Sequence, residues 1–315
     1  MNILVTGSTG FVGQHITREL IKKEHKVYAG VRTKRDVSNT DTEEIIVDLE
    51  NLSNFENTLK SLSIDCIFHL AAQGSVPSSW NAPSDTISRN ILGTTKLMEI
   101  TSKVSSGIKF VSVGSGEEYG LAAKYNQSLN EDIPCSPQNP YAISKYTVGL
   151  LGAKLAEKNN FNFVHLRSFN HYGPGQGLGY VVSDFCNQIC QIENNNIPPI
   201  IKVGNIQAER DFQYIDDIIQ KYVKVIESEL PNGVYNVASN NAISIKYILD
   251  KLISYSKVPI EIEIDKSKFR PLDIKSFKGE NKKLNGMIQY ENLHQTNIEE
   301  GLLSTLNWWR ERVGK

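Results

Sequence analysis

Cysteine is scarce in this 315-residue chain, and the few present fall into no chemically useful pattern. Cys66, Cys135, Cys186 and Cys190 form no CxxC pair and have no histidine nearby at metal-ligand spacing. That argues against a zinc site or a disulfide framework and points to reduced, buried thiols in a cytoplasmic protein. No run approaches the ~20 apolar residues that span a bilayer. The start, Met1-Asn2-Ile3-Leu4-Val5-Thr6-Gly7, lacks the basic region, long apolar segment and cleavage site of a secretory signal. An excess of either charge is missing too: 34 lysines and arginines stand against 35 aspartates and glutamates, for a formal net charge of −1. Without a polybasic stripe, neither nucleic acid nor an anionic membrane is an expected partner. Repeats and low-complexity tracts are also lacking, which leaves small-molecule chemistry.

The length allows a large core, as one elaborated domain or two closely joined ones. Residues 2–6 read as a buried strand, followed by Gly7-Ser8-Thr9-Gly10-Phe11-Val12-Gly13 and the helical pattern Ile16, Leu20, Ile21. Strand, glycine-rich turn and helix in that order bring backbone N–H groups and a helix N-terminus to a pyrophosphate. The spacing is GxxGxxG. A second strand, Lys26 to Val31, runs into Arg32, where an NAD site offers an acid; an arginine there suits a 2′-phosphate, so NADP(H) is favoured and NAD(H) stays open. A third strand, Glu44 to Val47, delivers Asp48 and Leu49 near where adenine would lie. The strand Asp65 to Leu70 ends in His69-Leu70-Ala71-Ala72, small residues over which a dinucleotide can pass, with His69 read as a core histidine. Gln73 to Trp80 then reads as a loop at a strand's carboxyl end, where open α/β sheets place ligands, making Ser75 and Val76 substrate-side candidates. Ser84 to Ser102 reads as one long helix.

After strand Ile108 to Val113 comes Gly114-Ser115-Gly116-Glu117-Glu118-Tyr119-Gly120. Asn139-Pro140 opens a helix that carries Tyr141 and Lys145 four residues apart on one face. An ammonium beside a phenol is expected to lower the phenol's pKa and ready it for proton transfer near neutral pH. In a Ser115–Tyr141–Lys145 triad, Ser115 holds the substrate oxygen, Tyr141 moves the proton, and Lys145 tunes Tyr141 and anchors ribose.

Gly7-x-x-Gly10-Phe11-x-Gly13, Asp48, His69-Leu70-Ala71-Ala72, Ser115, Tyr141-x-x-x-Lys145 and Arg167-x-x-Asn170-x-x-Gly173-Pro174 together resemble the extended short-chain dehydrogenase/reductases that modify nucleotide sugars. The resemblance covers essentially the whole chain and is strongest to the GDP-4-keto-6-deoxy-D-mannose reductases and their GDP-mannose 4,6-dehydratase relatives. It implies a Rossmann doubly wound α/β sheet with a smaller C-terminal substrate-binding domain. Residues 1–168 with about 207–240 would form the first, and 169–206 with 241–315 the second. It implies NADPH-dependent reduction at C4 of a GDP-4-keto-6-deoxy sugar or a heptose analogue. The alternatives are a GDP-sugar 4,6-dehydratase, a C4 dehydrogenase, or a dinucleotide-sensing binding protein.

The same resemblance places Thr9, Phe11, Val12, Leu49, Tyr141 and Lys145 on the cofactor. It places Arg210 and Arg270 beside a diphosphate, Asn170 upon it, Lys202-Val203-Gly204-Asn205 against the base, and Val181 on the substrate. Dehydrating relatives place an acid–base pair after the triad hydroxyl; here those positions are Gly116 and Glu117, so Glu117 is both a substrate-binding and a catalytic candidate. Relatives also pair helices equivalent to Asn90–Ser102 and Tyr141–Glu157, which implies at least a homodimer. In the C-terminal half, helices are expected over Val181 to Glu193, Ile215 to Glu227, Ser244 to Tyr255 and Ile298 to Val313. A strand, Gly233 to Val237, is expected to return to the main sheet, and Trp308 and Trp309 read as packing residues.

Overall fold

A strand buried on both faces belongs inside a parallel sheet, and Asn2–Thr6 (β1), with Ile3, Leu4 and Val5 inaccessible to solvent, occupies the middle of one. The computed structural model describes residues 1–34, 42–269, 274–290 and 295–313. Beyond β1 the chain runs through Phe11–Lys22 (α1), Lys26–Val31 (β2), Glu43–Ile46 (β3), Phe55–Ser61 (α2) and Cys66–His69 (β4). Val76–Asn81 (α3), Pro83–Ile87 (α4), Thr94–Val104 (α5), Lys109–Val113 (β5), Ala122–Tyr125 (α6), Pro140–Asn159 (α7) and Phe163–Ser168 (β6) follow. The second half comprises Asn170–Tyr172 (β7), Val181–Glu193 (α8), Ile200–Val203 (β8), Glu209–Tyr214 (β9), Ile215–Glu227 (α9) and Gly233–Val237 (β10). Ala242–Ser244 (β11), Ile245–Ser254 (α10), Glu261–Ile264 (β12), Ser276–Phe277 (β13), Lys282–Met287 (α11) and Ile298–Val313 (α12) complete it.

Seven strands pair in parallel in the order β10-β6-β5-β4-β1-β2-β3, the doubly wound Rossmann arrangement. One face buries Ile3, Val5, Phe68 and Val164 against Ile16 and Leu20 of α1 and Ile218, Ile219 and Tyr222 of α9. The other buries Leu4, Ile67, Phe110 and Phe163 against Leu59 of α2, Leu97 and Met98 of α5, and Ala156 of α7. Gly149 and Gly152 of α7 face the ring side chains of β6. A Cβ on Gly152 would stand 2.1 Å from the Phe163 ring, and one on Gly149 would stand 2.9 Å from the His165 ring.

The expected return of Gly233–Val237 to the main sheet is observed, paired with β6. β9 instead joins a second sheet with β7, β11 and β13, and β8 pairs with β12. A separate core there gathers Phe185, Cys186 and Ile189 of α8, Ile248 and Leu252 of α10, and Leu302 and Leu306 of α12. Trp309 packs on this core, with Trp308 edge-on to it at 5.3 Å. All four cysteines are free; Cys66, Cys186 and Cys190 are buried and Cys135 is partly so.

Two expectations need correction. The helix over 84–102 is interrupted: Ser88–Gly93 forms a π-helical segment between α4 and α5. The Gln73–Trp80 stretch is not all loop. Val76–Asn81 forms α3, nucleated by Ser75, whose hydroxyl accepts the Ser78 amide, and by Pro77 in the first turn. Among the described residues no helix is long and apolar enough to cross a membrane.

Candidate active site

The carboxyl ends of β1, β2 and β4 converge on a cavity of about 340 Å³. Of the residues expected to hold a dinucleotide, Gly7, Thr9, Gly10, Arg32, Asp48, Leu49, Leu70, Ala71 and Ala72 line it. Phe11, Val12 and Gly13 form the first turn of α1 behind them. Gly7 sits at φ +69°, a left-handed conformation that strains a residue with a side chain, and a Cβ there would lie 2.9 Å from the Ala71 nitrogen. A Cβ on Gly13 would lie 2.2 Å from the Gly7 carbonyl oxygen, so the helix can press against the turn only with glycine at this position. Gly10 caps α1 without a side-chain hydrogen bond, leaving first-turn amides open toward an anion. The floor is pinned by Thr6, whose Oγ1 accepts the Ala71 amide at 3.2 Å and meets His69 Nδ1 at 2.8 Å. His69 Nε2 meets Thr94 Oγ1 at 2.9 Å, and burial drives the ring down to about 3, so it is a neutral structural histidine. These features fit a dinucleotide. A smaller cleft of about 220 Å³ between α1 and α9, lined by residues of both charges such as Arg18 and Asp216, contains none of the expected site residues.

The proton-transfer residues gather at the end of β5. Ser115 caps a short 3₁₀ turn, Gly116–Tyr119, its hydroxyl accepting the Glu117 amide at 3.2 Å. Pro140 opens α7, and Asn139 caps it by accepting the Ala142 amide at 2.8 Å. Asn139 also donates to Glu117 Oε2 at 3.4 Å, tying the carboxylate to the helix that carries Tyr141. Lys145 is buried, donates from Nζ to the Val113 carbonyl at 2.8 Å, and lies 5.9 Å from the centre of the Tyr141 ring.

The expected tuning of Tyr141 is overturned. Burial raises the phenol above its ordinary value; a hydrogen bond with Ser115 only partly opposes this, while Tyr180, Glu118 and Glu117 push it further up. Desolvation of the phenolate is the largest of these causes. Burial also brings Lys145 down to about 8, with Glu118 pulling the other way. Burial thus favours the protonated phenol at Tyr141.

Asn90, in the π-helical segment, accepts the Gln73 amide at 2.8 Å and donates to the Gln73 carbonyl at 3.0 Å and Ser144 Oγ at 2.9 Å. These bonds cross-link the cavity floor to α7. The segment also brings Arg89 to the cavity, where its Nε donates to Glu50 at 3.0 Å. The sequence reading missed Arg89, which only the fold brings opposite Glu50, 39 positions away.

The substrate-side candidates are more dispersed. Ser75 and Val76 start α3, Val181 starts α8, and Asn170 is exposed on β7. Lys202, on β8, pairs with Glu263 at 3.2 Å, and Val203 is buried beside it. Gly204 packs against the Lys268 backbone, and Asn205 accepts the Gln207 amide at 3.0 Å. Arg210 Nη1 donates to the carbonyls of Glu209 and Ile274 at 2.8 and 2.9 Å. Arg270 lies outside the described residues. No group of three or more potential metal ligands occurs among the described residues.

A family model described as GDP-mannose 4,6 dehydratase matches residues 4–305. A GDP-6-deoxy-D-mannose reductase of Pseudomonas aeruginosa is 26% identical over 311 residues, 99% of this chain and 98% of the relative. The solved structure of RMD from Pseudomonas aeruginosa complexed with NADPH superposes with a TM-score of 0.83 at 26% identity, covering 99% of each chain. An NAD-dependent NDP-hexosamine 5,6-dehydratase, TunA, superposes with a TM-score of 0.85 at 26% identity, covering 99% of this chain and 98% of the other.

Proposed function

The chain belongs to the GDP-mannose 4,6 dehydratase family, and from that premise we propose that it is an NADPH-dependent reductase acting at C4 of a GDP-4-keto-6-deoxy sugar. The observation that carries this reading is the gathering of Ser115, Tyr141 and Lys145 at the end of β5, with glycine at the first position after the triad hydroxyl. When bound, the nicotinamide supplies a hydride to the C4 carbon. Tyr141 donates its proton to the C4 oxygen, so the carbonyl becomes an alcohol. Ser115 donates a hydrogen bond to the oxyanion as it develops. Lys145, mostly cationic at pH 7, stabilises the phenolate that Tyr141 leaves. The first-turn amides of α1 would face the pyrophosphate, and Arg32 with Arg89 would face a 2′-phosphate.

Gly116 argues against dehydration, because it has no side chain to protonate a leaving hydroxyl. A Cβ there would stand 3.1 Å from the Phe169 ring, so a side chain at this position would require that ring to give way. Glu117, held by Asn139, keeps a 4,6-dehydratase as the second reading. Incubation with GDP-4-keto-6-deoxymannose should consume one NADPH per alcohol formed, identified by NMR. GDP-mannose with NADP⁺ should yield no 4-keto-6-deoxy product; its formation, with solvent deuterium at C5, would overturn the reductase in favour of the dehydratase.

We assign residues 1–168 with α9 and β10 to cofactor binding and the remainder to the nucleotide sugar; the expected start of the returning segment at about 207 is corrected to 215, because β9 pairs in the second sheet. A homodimer is inferred from the apolar residues left exposed on the π-helical segment and α7, among them Leu92 at 64% and Leu150 at 53% exposure.

A further inference from the structure

The end of the dinucleotide cavity that would receive the adenosine ribose, beyond β2, carries charges of both signs. β2 and β3 run side by side, with Val31 opposite Ile46 and the Val47 amide donating to the Val31 carbonyl at 2.8 Å, so Arg32 and Asp48 leave the sheet together. The chain then turns tightly: the Glu50 amide donates to Asp48 Oδ1 at 3.1 Å, and the Asn51 amide to the Asp48 carbonyl at 2.9 Å. Against this turn lies the π-helical segment. A Cβ on Gly93 would stand 2.6 Å from Leu49 Cβ and 2.7 Å from the Leu49 carbonyl oxygen. That close approach sets Arg89, four residues earlier, over the turn, where its Nε donates to Glu50 Oε1 at 3.0 Å. Arg32, Asp48, Glu50 and Arg89 all line the cavity.

The two signs answer to different cofactors. An acid in this place accepts from the ribose 2′-hydroxyl of NAD(H), and an arginine takes the 2′-phosphate of NADP(H). A phosphate monoester carries nearly two charges at pH 7 and meets a guanidinium through two parallel bonds, so it is a strong partner for an arginine. Arg89 is already engaged. Glu50 holds its charge most strongly, with lesser help from Asp85 and Asp48, and among the described residues Glu50 is the carboxylate that it bonds. Both side chains are exposed, Arg89 by 39% and Glu50 by 47%. A pair so placed shifts an equilibrium by only about 1.4- to 5-fold. A 2′-phosphate can therefore displace it, at a cost that NADH, with no phosphate there, does not meet.

We propose that Glu50 sets how strongly the protein discriminates between NADPH and NADH: its carboxylate occupies Arg89, a 2′-phosphate has to break that pair, and the preference for NADPH is held below what Arg32 and Arg89 would give unopposed. With NADH the pair stays intact. The idea rests on the placing of Arg89 at the 2′-phosphate, and not on the sugar or the reaction at C4. A part played by packing alone would alter the affinities for both cofactors alike and leave their ratio where it is.

Wild type, Glu50→Gln, Arg89→Ala and the double variant are titrated calorimetrically with NADPH and with NADH, and the ratio of the Kd for NADH to that for NADPH is compared. Both positions are exposed, so neither substitution opens a core cavity. Glu50→Gln should raise the ratio about threefold, within the range of an exposed pair. Arg89→Ala should lower it. In the Arg89→Ala background, Glu50→Gln should raise it by a smaller factor than in wild type, because no pair is left to break. A ratio unchanged or lowered by Glu50→Gln overturns the proposal, since the carboxylate would then be idle or would be ordering Arg89 for the phosphate. An equal or larger rise in the Arg89→Ala background overturns it too, because the carboxylate would be repelling the phosphate directly. So does a ratio that Arg89→Ala leaves unchanged or raises, or a variant that binds neither cofactor. No sugar is added, so wild-type protein that fails to reduce the ketone refutes the proposed reaction and leaves this measurement standing.

Discussion

Gly116 offers a direct way to test whether shape as well as chemistry bars dehydration. Its backbone is not left-handed, so alanine or aspartate is excluded only by space. A Cβ at 116 would meet three atoms of the Phe169 ring at 3.1–3.2 Å. The ring has little room to retreat: it packs 6.2 Å from Tyr119 and 5.7 Å from Phe277, and Gly279 already lies so close that a Cβ there would come within 2.5 Å. Overpacking of this kind costs about 1–3 kcal/mol. With an unfolding entropy of about 2.1 cal/mol/K per residue, a chain this long loses roughly 1.5 °C of Tm for each kcal/mol. Gly116→Ala should therefore melt roughly 1.5–4.5 °C below wild type. Gly116→Asp should fall further, because it also buries a carboxylate. Adding Phe169→Leu should relieve part of the alanine's cost, appearing as a coupling of about 1 kcal/mol in a double-mutant cycle. Differential scanning calorimetry supplies the melts and NMR the products. A Gly116→Ala protein that melts within a degree of wild type refutes the packing argument. A folded Gly116→Asp single variant that makes 4-keto-6-deoxy product from GDP-mannose refutes its consequence.

Tyr141→Phe should lower turnover by ~100- to 10,000-fold while NADPH binding by calorimetry persists, and Glu117→Gln should cost far less. The free-enzyme kcat/KM should decline as pH rises through about 8, because Lys145 loses its charge there while the raised Tyr141 pKa keeps the phenol protonated; a flat profile to pH 10 would separate Lys145 from the proton transfer. NADPH should bind more tightly than NADH, and Arg32→Ala or Arg89→Ala should narrow the difference in calorimetric titrations. Light scattering should report a dimer, and Leu150→Glu should shift it toward monomer without displacing a core residue.

Where pattern is local, the sequence was enough. α8, α9 and α12 begin and end at the expected residues because their apolar positions recur with helical period. The glycines around Gly7, the Pro140 helix start and the site at the end of β5 were likewise legible. The π-helical segment was not, since its cross-links join Asn90 to Gln73 and to Ser144, 54 positions away. Nor was the direction of the Tyr141 shift, which depends on burial by distant elements, whereas the neighbouring Lys145 could be read from a spacing of four. α3 escaped because six residues give too little periodicity, although its capping serine and proline were visible. β7, β11 and β13, two or three residues each, are too short for alternation to register.

The placement of β10 beside β6 constrains the order in which a ribosome can deliver this protein. β6 is a fully buried strand, yet its neighbour on that side arrives only with residues 233–237, after β7, α8, β8, β9 and α9 have been made. Throughout that interval β6 presents an unpaired apolar edge, the kind of surface on which strands from other chains can add. Asn232 later ties the join, its side chain accepting the Phe163 amide and donating to the Phe161 carbonyl. A chain ended after Ser168 would keep that edge open permanently and should aggregate on expression, however complete its glycine turn and its Ser115–Tyr141–Lys145 cluster.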